Sequence, residues 1–107
     1  MNFSFDGYKI LLEQKLQKSI KNNLPQQLKE VFESKLKYLS KNPSYPSLNT
    51  KRYGVSKKIL IKLGVSEVWE FYINGKEYRC IFYVSHGEKI IIIAYVGNHQ
   101  QIKNKYC

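Results

Sequence analysis

The chain has 107 residues, 43% hydrophobic and 14% aromatic, which suits one globular domain over residues 1–107 with a single core rather than two. Lys and Arg number 18 against 8 Asp and Glu, a formal net charge of +10. Residues 1–53 carry ten basic and four acidic side chains and residues 54–107 carry eight and four, so the charge belongs to the folded body and excludes a detachable basic tail.

A basic, compact domain points to a polyanionic partner, nucleic acid or an acidic protein, because phosphate contacts release counterions and steer association. Solubility in a lysine-rich chain is the plainer alternative. Residues 1–12 include Asp6 and lack a sustained apolar run, so no secretory signal is expected. The apolar run at 90–96 is far short of the roughly 20 residues that a membrane helix needs. The expected setting is therefore cytoplasmic, with no membrane partner. Cys80 and Cys107 have no metal-ligand spacing, so neither a metal, a cofactor nor a disulfide is expected.

Along the chain, Leu12, Leu16 and Ile20 recur at four-residue spacing with Leu11 adjacent, which predicts an amphipathic helix ending at Asn22-Asn23. Asn23-Leu24-Pro25-Gln26 reads as the start of a second helix, with an N-cap residue, a first-turn proline and Gln three positions on. Leu28, Val31, Phe32, Leu36 and Leu39 share its apolar face, and Glu33 is spaced to pair with Lys37. So short a loop makes the two helices an antiparallel hairpin. Asn42-Pro43-Ser44-Tyr45-Pro46-Ser47 breaks the helix. Leu48 to Tyr53 predicts a short strand bearing Lys51 and Arg52, and residues 54–66 fit either a helical turn or a strand.

Val68 to Ile73, an Asn74-Gly75 turn, and Glu77 to Val84 predict a β-hairpin, since both turn residues tolerate positive φ. A two-residue loop would set Ile73 against Lys76, Phe71 against Tyr78 and Glu70 against Arg79. Alternation then places Trp69, Phe71, Ile73, Tyr78, Cys80, Phe82 and Val84 on one face, read as core. Val68, Glu70, Tyr72, Glu77, Arg79, Ile81 and Tyr83 share the other, where an ion pair lies between aromatics. Ile90 to Val96 forms the last strand, closing at Gly97-Asn98-His99, and Lys103 to Cys107 is expected to fray. The fold class is α+β: a helical hairpin packed on one face of a small, twisted, mostly antiparallel sheet.

This order of elements resembles the RelE/ParE toxin superfamily of bacterial toxin–antitoxin systems, from about Leu28 to His99. The resemblance rests on the helix pair, the proline break, the basic strand at Lys51-Arg52, Val68-Trp69-Glu70 opening a strand, Tyr78-Arg79 opening the next and Gly97-Asn98-His99 closing the last. Tyr72 stands where many relatives have arginine, and Gln100 follows His99 where related nucleases often have Asp or Tyr. The resemblance implies a toxin neutralised by a cognate antitoxin, whose acidic amphipathic segment would cover the basic groove or displace the C-terminal element in a hetero-oligomer. It implies one of two activities, ribosome-dependent mRNA cleavage or gyrase inhibition by binding. A degenerate, binding-only member is a third reading.

Metal-free RNA cleavage needs a base for the 2′-OH, cations for the phosphorane and an acid for the 5′-oxygen. Arg79 matches the arginine of the Tyr-Arg motif and suits the scissile phosphate through its planar fork; a structural bridge to Glu70 is the alternative. His99 is the candidate acid or base, because an imidazole has both proton states accessible near neutrality. Glu70 is the alternative base, with Arg79 favouring its carboxylate form. Lys51 and Arg52 match the basic strand and would grip flanking phosphates, while Tyr72 and Tyr83 would stack on unpaired bases. Tyr106 is a further proton donor that the resemblance suggests. His86, in Ser85-His86-Gly87-Glu88, reads as a turn residue.

Overall fold

The computed structural model describes residues 7–41, 50–75 and 77–107. Among these, four helices and five strands build an α+β fold on one open sheet. In chain order the elements are β1 (Lys9–Leu12), α1 (Leu16–Asn23), a 3-10 turn (Gln26–Leu28), α2 (Lys29–Lys41), β2 (Lys51–Arg52), α3 (Lys57–Leu63), β3 (Glu67–Asn74), β4 (Tyr78–Ser85), β5 (Ile90–Asn98) and α4 (His99–Tyr106). The strands lie in the order β1-β5-β4-β3-β2, antiparallel except for the parallel pair β1–β5. No helix among the described residues is long and apolar enough to cross a membrane.

The helix expected from Leu11 begins instead at Leu16, because Lys9–Leu12 is a strand. An apolar run this short carries no periodicity that separates strand from helix, and β5 offers it an edge. Ile10 pairs with Ile91 and Leu12 with Ile93, while backbone bonds from Lys9 N–H to Lys89 O and Glu13 N–H to Ile93 O extend the ladder. Beyond Ile93, α1 covers the β5 edge with side chains. Ser19 Oγ accepts the Val96 N–H at 3.2 Å and donates to Leu16 O at 2.9 Å. Asn23 Nδ2 donates to Val96 O at 2.9 Å. Asn23 is thus committed to the sheet and does not cap α2; a 3-10 turn preceded by Pro25 leads into that helix.

The hairpin register is shifted by two residues from the two-residue-loop expectation. Phe71 pairs with Cys80, Tyr72 with Arg79 and Glu70 with Ile81, and an irregularity lies between Tyr72 and Asn74. Asn74 closes a wider turn: its Oδ1 accepts Tyr78 N–H at 3.3 Å and its carbonyl accepts Glu77 N–H at 3.2 Å. Gly75 sits at φ 44°, in the left-handed region. A shift of two preserves parity, so each side chain keeps its expected face. The proposed Ile73–Lys76 pairing and the break at 42–47 lie outside the described residues, as does Leu48 of the expected strand.

On the first face, Leu16, Leu24, Phe32 and Leu39 pack with Trp69, Phe71, Cys80, Phe82, Val84 and Ile93. Val31 stays exposed, outside this core. The second face is also covered, which the reading of one core face did not anticipate. Val68, Ile81, Tyr83 and Ala94 are buried there with Ile102 and Tyr106 of α4, and Leu60 and Leu63 of α3 pack alongside. Ser56 caps α3 by accepting Ile59 N–H, and Gly64 ends it at φ 71°. The segment expected to fray is α4, started by a capping box in which Asn98 accepts Gln101 N–H and the Gln101 side chain accepts Asn98 N–H. A Cβ at Gly97 would lie 3.0 Å from Gln101 Oε1 and 3.2 Å from the Tyr95 ring, so a side chain there would press on the capping residue of α4.

Ser19→Ala strips the buried Val96 N–H of its acceptor. It is expected to lower unfolding stability by about 1–3 kcal/mol, read as a reduced urea midpoint at unchanged slope.

Candidate functional site

The register aligns two rows of side chains on the second face. Lys51 of β2 pairs with Glu70 of β3, which pairs with Ile81 of β4; one row further, Tyr72 pairs with Arg79, which pairs with Gly97 of β5. Glu70 and Arg79 are therefore diagonal neighbours, not directly opposed. Glu70 Oε1 accepts a hydrogen bond from Arg79 Nη1 at 3.3 Å and lies 3.8 Å from Lys51 Nζ. The Glu70 side chain is 2% exposed, Arg79 13% and Lys51 56%. The Tyr72 ring serves both cations, with Lys51 Nζ at 5.1 Å and Arg79 Cζ at 5.0 Å from its centre. Hydrogen bonding to the Tyr72 side chain, then the Tyr72 and Glu70 charges against the opposing effect of burial, holds the Lys51 ammonium above its ordinary range. One carboxylate, two cations and one phenol thus form a compact group with a graded approach to solvent.

Arg52 does not join them. Successive strand residues point to opposite faces, and Arg52 Nη1 meets Glu67 Oε2 at 3.2 Å while its guanidinium lies over the Trp69 ring. Tyr83 is buried, its hydroxyl 2.9 Å from that of Tyr106, and it lines a cleft with residues of α1, α3 and α4 instead of joining the Glu70 group. Tyr106 is buried by Tyr53, Tyr83 and Tyr95, whose rings meet it edge-on at 6.1–6.4 Å. Burial first, then the bond to Tyr83, pushes its phenol far above the ordinary tyrosine range, which does not suit a surface proton donor. His99 is the first residue of α4 and exposed, two positions beyond Gly97, the partner of Arg79.

His86 is more than a turn residue. Tyr8 Oη lies 2.6 Å from its Nδ1, and its Nε2 lies 3.2 Å from Glu67 Oε1, tying the start of β1 to β3. Sequence reasoning also passed over Tyr53 and Cys107. The Tyr53 hydroxyl lies 3.7 Å from Cys107 Sγ, and burial, that thiol and the Glu70 charge push its phenol up to about 12. The signal available was their position, one residue past β2 and one past α4. Both cysteines are free, and burial raises the Cys80 thiol well above its usual range.

No family model and no curated protein matches the chain. Solved structures do. The archaeal RelE–RelB complex from Pyrococcus horikoshii OT3 is similar with TM-score 0.60 at 16% identity, over 85% of this chain and 93% of that one. The RelB–RelE antitoxin–toxin complex from Methanococcus jannaschii gives 0.63 at 14%, over 91% and 99%. A metal-bound toxin from Helicobacter pylori gives 0.55 at 13%, over 89% and 98%. The α+β arrangement is the RelE-like toxin fold. At these identities the likeness is one of fold.

A phenol raised in the folded state adds stability below its unfolded pKa, and that contribution is lost as pH rises through the folded value. For Tyr53 the window runs from its ordinary 10.0 to about 12. Tyr53→Phe is therefore expected to flatten the alkaline loss of stability across that window, followed by urea unfolding at stepped pH. In the same range Cys107 should react with a thiol reagent while Cys80 stays protected until unfolding.

Proposed function

We propose that this protein is the toxin of a toxin–antitoxin pair and cleaves mRNA on the ribosome by general acid–base chemistry. The observation that carries the reading is the single buried oxygen of Glu70 shared by Lys51 and Arg79 beside Tyr72. In-line attack of a ribose 2′-oxygen on the neighbouring phosphate needs these elements within one or two side-chain lengths. Lys51, the most exposed cation, meets the phosphate first. The Arg79 guanidinium then exchanges the Glu70 oxygen for a phosphate oxygen and steadies the phosphorane. Glu70, released, takes the 2′-OH proton. His99 at the rim protonates the departing 5′-oxygen, leaving a 2′,3′-cyclic phosphate and a free 5′-hydroxyl. Tyr72 supports both cations and offers a ring to an unpaired base.

The ribosome would supply what a 107-residue basic domain lacks, an ordered single strand presented in the A site. A cognate antitoxin completes the pair. Two of the fold neighbours are complexes with RelB, and a net charge of +10 suits an acidic segment that screens the cationic group.

A binding-only toxin is the second reading, favoured by Arg79 being 13% exposed and already bonded to Glu70. The two part company under mutation. Primer extension on mRNA in programmed ribosomes is expected to show discrete A-site cuts with the wild type. Arg79→Ala, Glu70→Gln and His99→Ala should each reduce the cleavage rate by about 10²–10⁴-fold. If folded wild type makes no cuts, the nuclease reading is lost, and gyrase supercoiling becomes the assay for a binding toxin. Cuts that survive His99→Ala alone would move the acid role to another donor.

A further inference from the structure

A second charged feature lies away from the Glu70 group. Lys15 just before α1, Lys18 within it, Lys62 of α3 and Lys105 of α4 converge on one cleft of about 540 Å³, with Glu13 the one carboxylate among its described lining. All four lysines are exposed, yet they come from three separate parts of the chain, so their convergence is a product of the fold and not of a charge run. The floor is different in kind. Ile92, Ala94 and the Tyr95 ring line it, and Lys105 Nζ sits 5.0 Å above the centre of that ring. Cations around an apolar, aromatic floor match one splayed nucleotide, with its base on the floor and its phosphates on the rim.

We propose that this cleft binds a single-stranded RNA segment, holding one unstacked nucleotide between α1, α3 and α4 at a distance from the Glu70 group. The inference takes its ligand class from the toxin reading but does not need cleavage. A peptide strand is the poorer occupant. The β5 edge beside the cleft is closed at Val96, whose N–H and carbonyl bond to Ser19 and Asn23, which disfavours strand addition there. Asn23 also bonds the Tyr95 hydroxyl at 3.0 Å and accepts from Gln101 at 3.1 Å, so α1, β5 and α4 hold the floor rigid. A preformed floor lowers the ordering cost of binding.

The test is fluorescence anisotropy with a labelled single-stranded RNA, using protein that carries Arg79→Ala so that no probe is cut. Lys15→Ala/Lys62→Ala/Lys105→Ala is compared with Lys9→Ala/Lys37→Ala/Lys41→Ala, which removes the same charge from other exposed positions. Circular dichroism checks that both fold. The cleft variant is expected to bind at least tenfold more weakly, with the slope of log K against log salt reduced by about 2, at about 0.7 per phosphate released. The control variant should keep most of its affinity, and duplex RNA should not distinguish the two proteins. Equal weakening in both variants would reduce the effect to diffuse charge and overturn the proposal. Competition by inorganic polyphosphate equal to RNA per phosphate would overturn it too, since no base would be needed. Tighter binding of polyglutamate than of RNA would assign the cleft to an acidic polypeptide instead. Loss of ribosomal cleavage by wild type with cleft binding intact would sink the nuclease reading and leave this one standing.

Discussion

The second face of the sheet is organised around one carboxylate that has almost no contact with water. Glu70 is 1% exposed, and an ion so placed costs several kcal/mol of desolvation unless cations and hydrogen bonds offset it. Lys51 comes from one neighbouring strand and Arg79 from the other. The ion therefore sets which strands must sit on either side of β3. It also explains how β2, two residues long, keeps its place. Its ladder is too short to hold unaided, but Lys51 reaches Glu70 on one face and Arg52 reaches Glu67 on the other. Adjacent residues pointing in opposite directions thus pin the edge strand from both sides.

The two faces use different aromatics for a related reason. Phe32, Phe71 and Phe82 fill the centre of the first face, with Phe32 and Phe71 stacked at 6.4 Å. Tyr53, Tyr83, Tyr95 and Tyr106 crowd the second. There a phenol can bury its ring against α3 and α4 while its oxygen reaches another polar group. Tyr106 carries α4 down onto this cluster, and the Asn98–Gln101 capping box fixes where the helix begins. Those two constraints together fix the position of His99, the first residue of α4.

Much of this was legible in the sequence, and the misses have particular causes. Period-two alternation placed every β3 and β4 side chain on its correct face even though the turn was wider than expected, because a two-residue slip conserves parity. The same slip turned an opposed Glu70–Arg79 pair into a diagonal one. Lys51 and Arg52 read alike as two basic residues, and only alternation separates them, one beside Glu70 and the other beside Glu67. β1 was hidden because Leu12, Leu16 and Ile20 happen to keep helical spacing across a strand–helix boundary. α4 was hidden because His99–Tyr106 is mostly Gln, Lys and Asn, with Ile102 and Tyr106 its two buried anchors. The Asn98 and Gln101 spacing was its readable signal. Burial of Glu70 could not be read at all, since local pattern marks its face as half polar and the apolar packing of α3 and α4 on that face is a tertiary feature.

That burial shapes the chemistry proposed for the site. A phosphate that draws Arg79 and Lys51 away would leave Glu70 as a buried, unpaired charge, a loss on the order of 3–5 kcal/mol when one partner of such a pair is removed. Protonation cancels that cost, and the nearest proton to hand is the one on the 2′-hydroxyl beside the same phosphate. Cation transfer to the substrate and proton transfer to the carboxylate therefore favour one another. In that proposal Arg79 would have to leave Glu70 to meet the phosphorane fully, since both draw on the same guanidinium. In the proposed reaction, an ion pair that looks purely structural in the free protein would be the means by which phosphate binding frees Glu70 to act.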